Sequence, residues 1–163
     1  MIGFAAVLAF MDATIAIFPK PAKAAPVQIA LTNKGAASVL NHVSIGVRNI
    51  AKTKKFYDET LKPLGYKCLS DGADSLGYGA DAVVLWIGKS ERPVPADMGS
   101  GLHFCFDAPT RKSVDAFHKA ALGAGGKNNG KPGLRADYGE NYYAAFVIDP
   151  DGYRLEAYCG KKA

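Results

Sequence analysis

The sequence predicts an α+β fold of two βαβββ modules, residues 42–88 and 103–159, whose strands form a curved mixed sheet around a central cavity. Two observations support this prediction. Short segments with an apolar residue at every second position, which are typical of strands, alternate with segments whose apolar residues have helical spacing. The order of these segments in the first half of the chain returns in the second half, which indicates an internal repeat.

The first module starts with residues 42–48, HVSIGVR, in which apolar residues at every second position predict a strand. A helix follows, because Asn49 can accept a hydrogen bond from a backbone N–H of the first turn, and Pro63 and Gly65 end the helical pattern. Three more strands are predicted after the helix, at residues 66–70, 75–80 and 82–88.

The second module starts the same order again after a loop rich in proline and glycine. Residues 101–108 are predicted to form a strand, and Thr110 is expected to cap the second helix. The helical spacing places His118 on the exposed side of this helix. The face that packs into the core is expected to contain Val114, Phe117, Ala121 and Leu122.

The last part of the second module is predicted to be a loop followed by a hairpin. The stretch KNNGKPGLRADYGE is rich in turn residues and is predicted to be the loop. Residues 142–148 and 153–159 are predicted strands, and the DPDG sequence at residues 149–152 is a tight turn between them.

A constant offset relates the two modules. Four residues of the first module recur 61 positions later, at the start of the first strand, on the core face of the helix and after the helix. The pairs are His42 and His103, Phe56 and Phe117, Leu61 and Leu122, and Gly65 and Gly126. This placement indicates two modules related by a pseudo-twofold axis, with the two histidines at matching positions.

Composition limits the classes of function. The 163 residues, 48% of them apolar, suffice for one domain with a single core. The formal charge of +5 is scattered and forms no basic run with interleaved aromatic residues, so the sequence does not support nucleic-acid binding. Cys68, Cys105 and Cys159 are widely spaced and form no C-x-x-C pair, so they are expected to be buried thiols.

Residues 1–38 are predicted to be an apolar extension and linker before a domain at residues 40–160. Residues 2–18 are almost wholly apolar, and a small-x-small site follows at residues 22–24, as in a signal peptide. Asp12 interrupts the segment and no basic residue precedes it, so a cleaved signal, a loosely attached arm and an upstream extension of the reading frame stay open. Its length and charge make stable membrane insertion unfavourable. We expect a cytoplasmic protein, or an exported or periplasmic one if this segment is a signal peptide.

Three residues form a candidate metal site. His42 and His103 occupy matching first-strand positions, and Glu156 lies on the last strand, where its neighbours Leu155 and Ala157 point to the opposite face. Two imidazoles and one carboxylate on rigid strands can hold a divalent metal and leave positions open for substrate or water. The competing interpretation is structural, since a histidine in a strand commonly packs without a ligand and Glu156 can face solvent.

Five segments of the chain resemble the vicinal oxygen chelate superfamily, and its glyoxalase-like subgroup in particular. They are LNHVSIGV, FYDETLKPLGY, GLHFCF, DAFHKAALGAGG and PGLRADYGENYYAAFVIDPDGYRLEAY. The superfamily includes glyoxalase I, fosfomycin-modifying thiol transferases, bleomycin-binding proteins and extradiol dioxygenases. The resemblance covers residues 40–159, and its most specific piece is the DPDG turn followed by a Leu-Glu pair.

The resemblance implies a Mn, Fe, Ni, Co or Zn ion held by His42, His103 and Glu156. Glyoxalase I has a second acid on the last strand of the first module, where this chain offers Leu85 or Trp86. The resemblance therefore implies a metal-dependent lyase, isomerase or thiol transferase acting on a small oxygen-chelating substrate, and not glyoxalase I. Ring cleavage by a dioxygenase is least favoured, and a metal-free small-molecule-binding protein of the bleomycin-resistance kind is the alternative.

Four further residues are expected to contact the substrate. Arg135 can hold a carboxylate or phosphonate with two N–H donors, although surface salt bridging is its ordinary role. Tyr143 and Tyr78 can orient an oxygen-bearing substrate, although tyrosines on strands commonly pack into the core. Ser44, two positions after His42, resembles a hydroxyl-bearing position of the fosfomycin enzymes. The resemblance also implies a bacterial protein that forms a homodimer, with no catalytic acid or base assigned.

Overall fold

The computed structural model describes residues 40–94 and 99–162. The first module consists of β1 (Val43–Val47), α1 (Ile50–Leu61), a 3₁₀ turn (Lys62–Leu64), β2 (Lys67–Asp71), β3 (Ser75–Gly79) and β4 (Leu85–Lys89). The second consists of β5 (His103–Asp107), α2 (Arg111–Gly123), β6 (Lys127–Leu134), β7 (Tyr143–Ile148) and β8 (Arg154–Cys159). The predictions for residues 1–38 lie outside the described residues.

Each module forms its own four-stranded mixed sheet. The strand order is β1-β4-β3-β2 in the first sheet and β5-β8-β7-β6 in the second. The first and last strands of each module are parallel neighbours, and the other pairs are antiparallel. The predicted α+β fold of two βαβββ modules is therefore confirmed. Within the described residues, no helix is long and apolar enough to cross a membrane.

The two helices bury the same positions, which supports the offset of 61. The side chain of Asn49 caps α1 by accepting a hydrogen bond from the backbone N–H of Lys52 at 2.9 Å, and Thr110 caps α2 in the same way. The matching buried pairs are Thr53 and Val114, Phe56 and Phe117, Tyr57 and His118, and Thr60 and Ala121.

The prediction that His118 is exposed is wrong. His118 is 8% exposed, because it occupies the place on α2 that Tyr57 occupies on α1. Its Nε2 lies 2.8 Å from the Oδ1 of Asn128 on β6, which gives the buried imidazole a hydrogen-bond partner. A helical wheel of α2 alone does not show this contact, since the partner comes from a strand that follows the helix.

The ends of the two helices differ from the predicted repeat. Leu61 is 1% exposed, whereas Leu122 is 40% exposed and does not belong to the core. Gly65 ends the first helical segment with φ 86°, and the corresponding left-handed glycine after α2 is Gly125, with φ 95°, in place of Gly126. The offset is therefore 61 along the helices and one residue shorter at the turn that follows.

The stretch that was predicted to be a loop contains strand β6. Residues Lys127–Leu134 pair antiparallel with β7, and the register shifts on both sides of Gly130. The strand lies at the sheet edge, where glycine and proline are tolerated because one side of the strand needs no ladder partner. A Cβ on Gly130 would lie 2.8 Å from the Cδ2 of Phe146, so this position needs a glycine for the close approach of the ring.

Three side-chain hydrogen bonds join the modules, and we call them the junction. They run from Tyr57 Oη to Asp149 Oδ2 at 2.9 Å, from Thr53 Oγ1 to Asp151 Oδ2 at 3.0 Å, and from Tyr153 Oη to Gly46 O at 2.8 Å. Asp149 is 3% exposed, and its Oδ1 also accepts hydrogen bonds from the backbone N–H groups of Asp151 and Tyr153. The DPDG turn therefore closes its own hairpin and also binds α1.

The junction is expected to make stability depend on pH. Burial raises the pKa of Asp149 from 3.8 to about 6, so the folded chain holds this proton more tightly than the unfolded chain. The raised pKa contributes to the unfolding free energy. This contribution is fully present below about pH 3.8 and is lost as the pH rises through about 6. An asparagine does not titrate, so Asp149→Asn lacks this pH dependence. The unfolding free energy of the variant minus that of wild type should therefore rise by roughly 2–3 kcal/mol from about pH 4 to about pH 7. Urea unfolding of both proteins measures this, and a difference that does not vary with pH would contradict it.

Candidate functional site

The candidate site lies on the face of the second sheet that points away from the core. The parallel register of β5 and β8 pairs His103 with Arg154 and Cys105 with Glu156. Leu155 is fully buried on the core side of β8. Because successive side chains in a strand point to opposite faces, His103, Cys105 and Glu156 share the other face.

Glu156 is the buried centre of this face, with 3% of its surface exposed. Tyr142 Oη donates a hydrogen bond to Glu156 Oε1 at 2.7 Å, and Glu156 Oε2 lies 3.4 Å from His103 Nε2. The Tyr142 ring packs on Tyr158, with 4.1 Å between the ring centroids. One oxygen of the carboxylate is thus held by a tyrosine, and the other is left to face the imidazole.

Two neighbours of Glu156 keep their protons. Cys159 is buried as expected of the three cysteines, whereas Cys68 is half-buried and Cys105 is exposed on β5. Partial loss of hydration, followed by the negative charge of Glu156, raises the pKa of the Cys105 thiol to about 12. Burial and the hydrogen bond to Glu156 also raise the pKa of the Tyr142 hydroxyl above its ordinary value. Near pH 7 the thiol and the phenol are therefore neutral groups, and Cys105 is not a thiolate nucleophile in this state.

An open cleft of about 540 Å³ contains both predicted histidine ligands. His42 and its neighbours line the cleft from the first module, and residues 103–107 line it from the second. His42 Nδ1 lies 2.7 Å from the Oδ1 of Asn41. In the described part of the chain, no three His, Cys, Asp or Glu side chains are close enough to hold one metal ion. The structure brings His103 and Glu156 together and leaves His42 apart from this pair, in the cleft that it shares with His103.

The first module carries a tryptophan where the second carries Glu156. Ser44 pairs with Trp86 in the parallel register of β1 and β4, as Cys105 pairs with Glu156 in β5 and β8. Ser44 and Cys105 each lie two positions after the matching histidine of their module. Leu85 is 1% exposed and faces the core, so the residue that stands in place of a second acid is Trp86.

Arg135 lies beside the face that carries Glu156. Its guanidinium is 5.4 Å from the centroid of the Phe146 ring, and Phe146 pairs with Glu156 across β7 and β8. Two of the five guanidinium N–H groups donate to the backbone oxygens of Leu134 and Lys131. These bonds and the ring hold a positive charge at a defined place next to the candidate site.

The two tyrosines that were predicted to contact the substrate lie elsewhere. Tyr78 is 1% exposed in the core, and its Oη donates to Asp58 Oδ1 at 2.9 Å. Tyr143 Oη donates to Asp115 Oδ1 on α2 at 2.8 Å. Neither residue lines the cleft. Both tyrosines use their hydroxyl groups to bind a helix of the chain, and Ser44, the fourth predicted contact, is exposed on β1.

Strand alternation could have identified Tyr142, which is not among the predicted site residues. In the β7–β8 hairpin that the DPDG turn connects, Tyr143 pairs with Cys159 and Phe146 pairs with Glu156. Even-numbered residues of β7 and β8 therefore share the face of Glu156, and odd-numbered residues face the core and α2. Tyr142 precedes β7 with the same parity as Phe146 and belongs to the site.

Comparison with known proteins agrees with the fold. The family model of the Glyoxalase/Bleomycin resistance protein/Dioxygenase superfamily matches residues 39–157. The chain belongs to this superfamily. The resemblance seen in the DPDG turn and the Leu-Glu pair is therefore confirmed, and the chain is a glyoxalase-like protein of the superfamily.

Solved structures of the superfamily resemble this member over most of its length. A glyoxalase/bleomycin resistance protein from Albidiferax ferrireducens T118 is 32% identical with a TM-score of 0.63, covering 74% of this chain and 98% of that chain. A putative glyoxalase from Bacillus halodurans is 25% identical with a TM-score of 0.57, covering 74% and 94%. A glyoxalase-related enzyme from Fulvimarina pelagi, 17% identical with a TM-score of 0.58 and coverage of 73% and 86%, shares the fold. No curated protein matches the chain.

Proposed function

We propose that this superfamily member is a divalent-metal-dependent enzyme that acts on a small substrate through two neighbouring oxygen atoms. The observation that carries the proposal is a buried carboxylate paired with an imidazole on adjacent strands. Glu156 Oε2 lies 3.4 Å from His103 Nε2, while Tyr142 holds Oε1. A buried carboxylate needs a positive partner, so this pair is expected to receive a cation.

Two of the three proposed ligands, His103 and Glu156, lie close enough to bind one metal ion, and His42 does not. Two ligands that each lie about 2.1 Å from one ion can be up to about 4.2 Å apart, so His103 and Glu156 are close enough to share it. His42 is the proposed third ligand, because it occupies the matching position in the first module and lines the same cleft. Its imidazole has to move towards His103 for this. Nitrogen and carboxylate ligands suit Mn, Fe, Ni, Co or Zn.

The chain supplies groups that bind and orient a substrate around this pair. A divalent ion, when bound, supplies Lewis acidity to the neighbouring oxygens of the substrate. Arg135, fixed over Phe146, is proposed to bind a carboxylate or phosphonate, and Ser44 offers a hydroxyl from β1. We propose lyase, isomerase or thiol-addition chemistry. Glyoxalase I chemistry is not proposed, because Trp86 stands where the second acid would be.

A metal-free small-molecule-binding protein is the second candidate. It is favoured by the finding that no three potential ligands converge within the described residues. In that case Arg135 and the aromatic side chains of the sheet faces would hold the ligand. The homodimer, the bacterial origin and the cytoplasmic location stay predictions of the sequence.

The divalent metal content of protein prepared without chelator tests the first candidate. We expect about one ion per chain in wild type and loss of most of it in His103→Ala, because a two-His-one-Glu site depends on each ligand. His118→Gln is the matched control, since it removes a histidine that binds Asn128 and should keep the metal. Metal-free wild type, or metal content that His103→Ala leaves unchanged, would contradict metal dependence and favour the binding protein.

Tyr142→Phe should weaken metal binding about 10-fold, because the variant loses the hydrogen bond that orients the carboxylate of Glu156. Competition with a fluorescent chelator measures the affinity. Tyr138→Phe is the control: Tyr138 packs on the ring of Tyr142 and is 60% exposed, so removal of its hydroxyl should leave the affinity unchanged. Equal affinities for all three proteins would show that Tyr142 does not position the ligand.

A further inference from the structure

Trp86 is the largest difference between the equivalent faces of the two modules. In the second module the position carries a buried carboxylate, and in the first it carries an indole at the same register position. An indole has no lone pair available for a metal ion, since its nitrogen is a donor only. The face of the first module therefore has different chemistry, although its first strand carries the matching His42.

The indole lies against a strand position that has no side chain. Gly77 pairs with Trp86 across β3 and β4, and a Cβ on Gly77 would lie 3.0 Å from Trp86 Cζ3 and 2.9 Å from Val83 Cγ2. The ring is thus packed closely over the backbone of β3, and Trp86 as a whole is half-buried. Because backbone supports the ring, its position is well defined.

Two features leave the indole available to a ligand. Among the described residues, none accepts a hydrogen bond from Trp86 Nε1 and no aromatic ring stacks on it. Gly88, two positions further along the same strand face, has no atom within 4 Å of where its Cβ would be. The indole therefore offers an exposed part of its ring and a free donor beside an open space.

We propose that Trp86 stacks on a planar, unsaturated group of the substrate and donates from Nε1 to one of its oxygens. This rests on the proposed function, in which the neighbouring oxygens of the same molecule lie at His103 and Glu156. His42 links the two halves of the site: strand alternation puts it on the face of Trp86, and it lines one cleft with His103. Trp86 follows Leu85, which lines that cleft, and is not itself a lining residue. An indole interacts with a flat π system more favourably than with a puckered ring. The substrate class is therefore an aromatic compound with two neighbouring oxygens, such as an aryl 2-oxo acid.

A matched pair of ligands tests this assignment in wild-type protein. Phenylglyoxylate and cyclohexylglyoxylate carry the same 2-oxo acid and differ in whether the ring is planar. Isothermal titration calorimetry, with and without added Mn²⁺, should show that phenylglyoxylate binds about 3- to 10-fold more tightly. Equal affinities, or no binding of either compound, would overturn the proposal.

Two variants separate stacking from general packing. In Trp86→Leu the two ligands should bind equally, whereas Trp86→Phe should retain most of the preference because it keeps an aromatic ring. Trp86 is the single tryptophan of the chain, so its fluorescence reports on this position alone. Phenylglyoxylate should quench it with the dissociation constant found by calorimetry, and unchanged fluorescence at saturation would place the ligand elsewhere.

The outcomes for the substrate contact and for the metal site are independent. Trp86→Leu should keep the metal content of wild type, because the indole is not a ligand. Metal binding without any preference for the planar ligand would overturn the role of Trp86 and leave the metal-dependent function standing. A preference for phenylglyoxylate in protein that holds no metal would support the role of Trp86 and contradict the metal-dependent function.

Discussion

Glu156→Gln should lower the affinity for a divalent metal by at least about 100-fold, the largest functional effect that we expect from one substitution. The amide keeps the size of the side chain and an oxygen that can accept the hydrogen bond of Tyr142. What it removes is the negative charge that faces His103 Nε2 at 3.4 Å. Isothermal titration calorimetry with the metal ion measures this loss of affinity directly.

The same substitution should not destabilise the metal-free protein. Glu156 is 3% exposed, and a buried carboxylate is unfavourable unless a cation compensates it. With chelator present, the melting temperature of Glu156→Gln should equal or exceed that of wild type. Asp107→Asn is the control, since Asp107 lines the cleft on β5 and is exposed; it should change neither metal affinity nor stability. A large fall in melting temperature would mean that Glu156 serves the fold and not a ligand.

Asp149→Ala should lower the unfolding free energy by about 2–4 kcal/mol, the largest loss of stability that we expect from one side chain at the junction. The substitution leaves three donors without their acceptor, namely the hydroxyl of Tyr57 and the backbone N–H groups of Asp151 and Tyr153. Chemical denaturation at about pH 5 measures the loss where the carboxyl is largely protonated in the folded chain.

Two other variants test the cause of this loss. Asp149→Asn keeps an oxygen for the two backbone donors, so it should stay within about 1 kcal/mol of wild type near pH 7. Tyr57→Phe removes one donor and its hydrogen bond and should lose about 1–2 kcal/mol. If Asp149→Asn were as unstable as Asp149→Ala when both are measured at about pH 7, the hydrogen bonds of the carboxyl group would not explain the stability of the turn.

The alternation of apolar residues and the capping residues were enough to predict most elements. Asn49 and Thr110 cap the helices as expected, and the strand of His103 lies within the predicted residues 101–108. The offset between the histidines also placed both in one cleft. These features depend on local hydrogen bonds and on which face of an element is apolar, and both are visible in a single sequence.

The features that were missed depend on contacts between distant parts of the chain. His118 is buried because β6 supplies Asn128, and β6 itself is a strand because β7 provides its pairing partner. Tyr143 was chosen for the site, although the register places its neighbour Tyr142 on the face of Glu156. A one-residue error in a strand reverses the face to which a side chain points, so register matters more than composition here.

Along β8, alternate residues serve either the packing of the core or the candidate site. Leu155 and Ala157 face the shared core and are fully buried, whereas Glu156 between them faces the candidate site. β4 has the same division, with Leu85 and Ile87 on one side and Trp86 on the other. One face can therefore exchange a carboxylate for an indole while the other keeps the domain folded. A single framework of this kind can acquire new ligand chemistry by substitution at every second residue, with little change in its folding free energy.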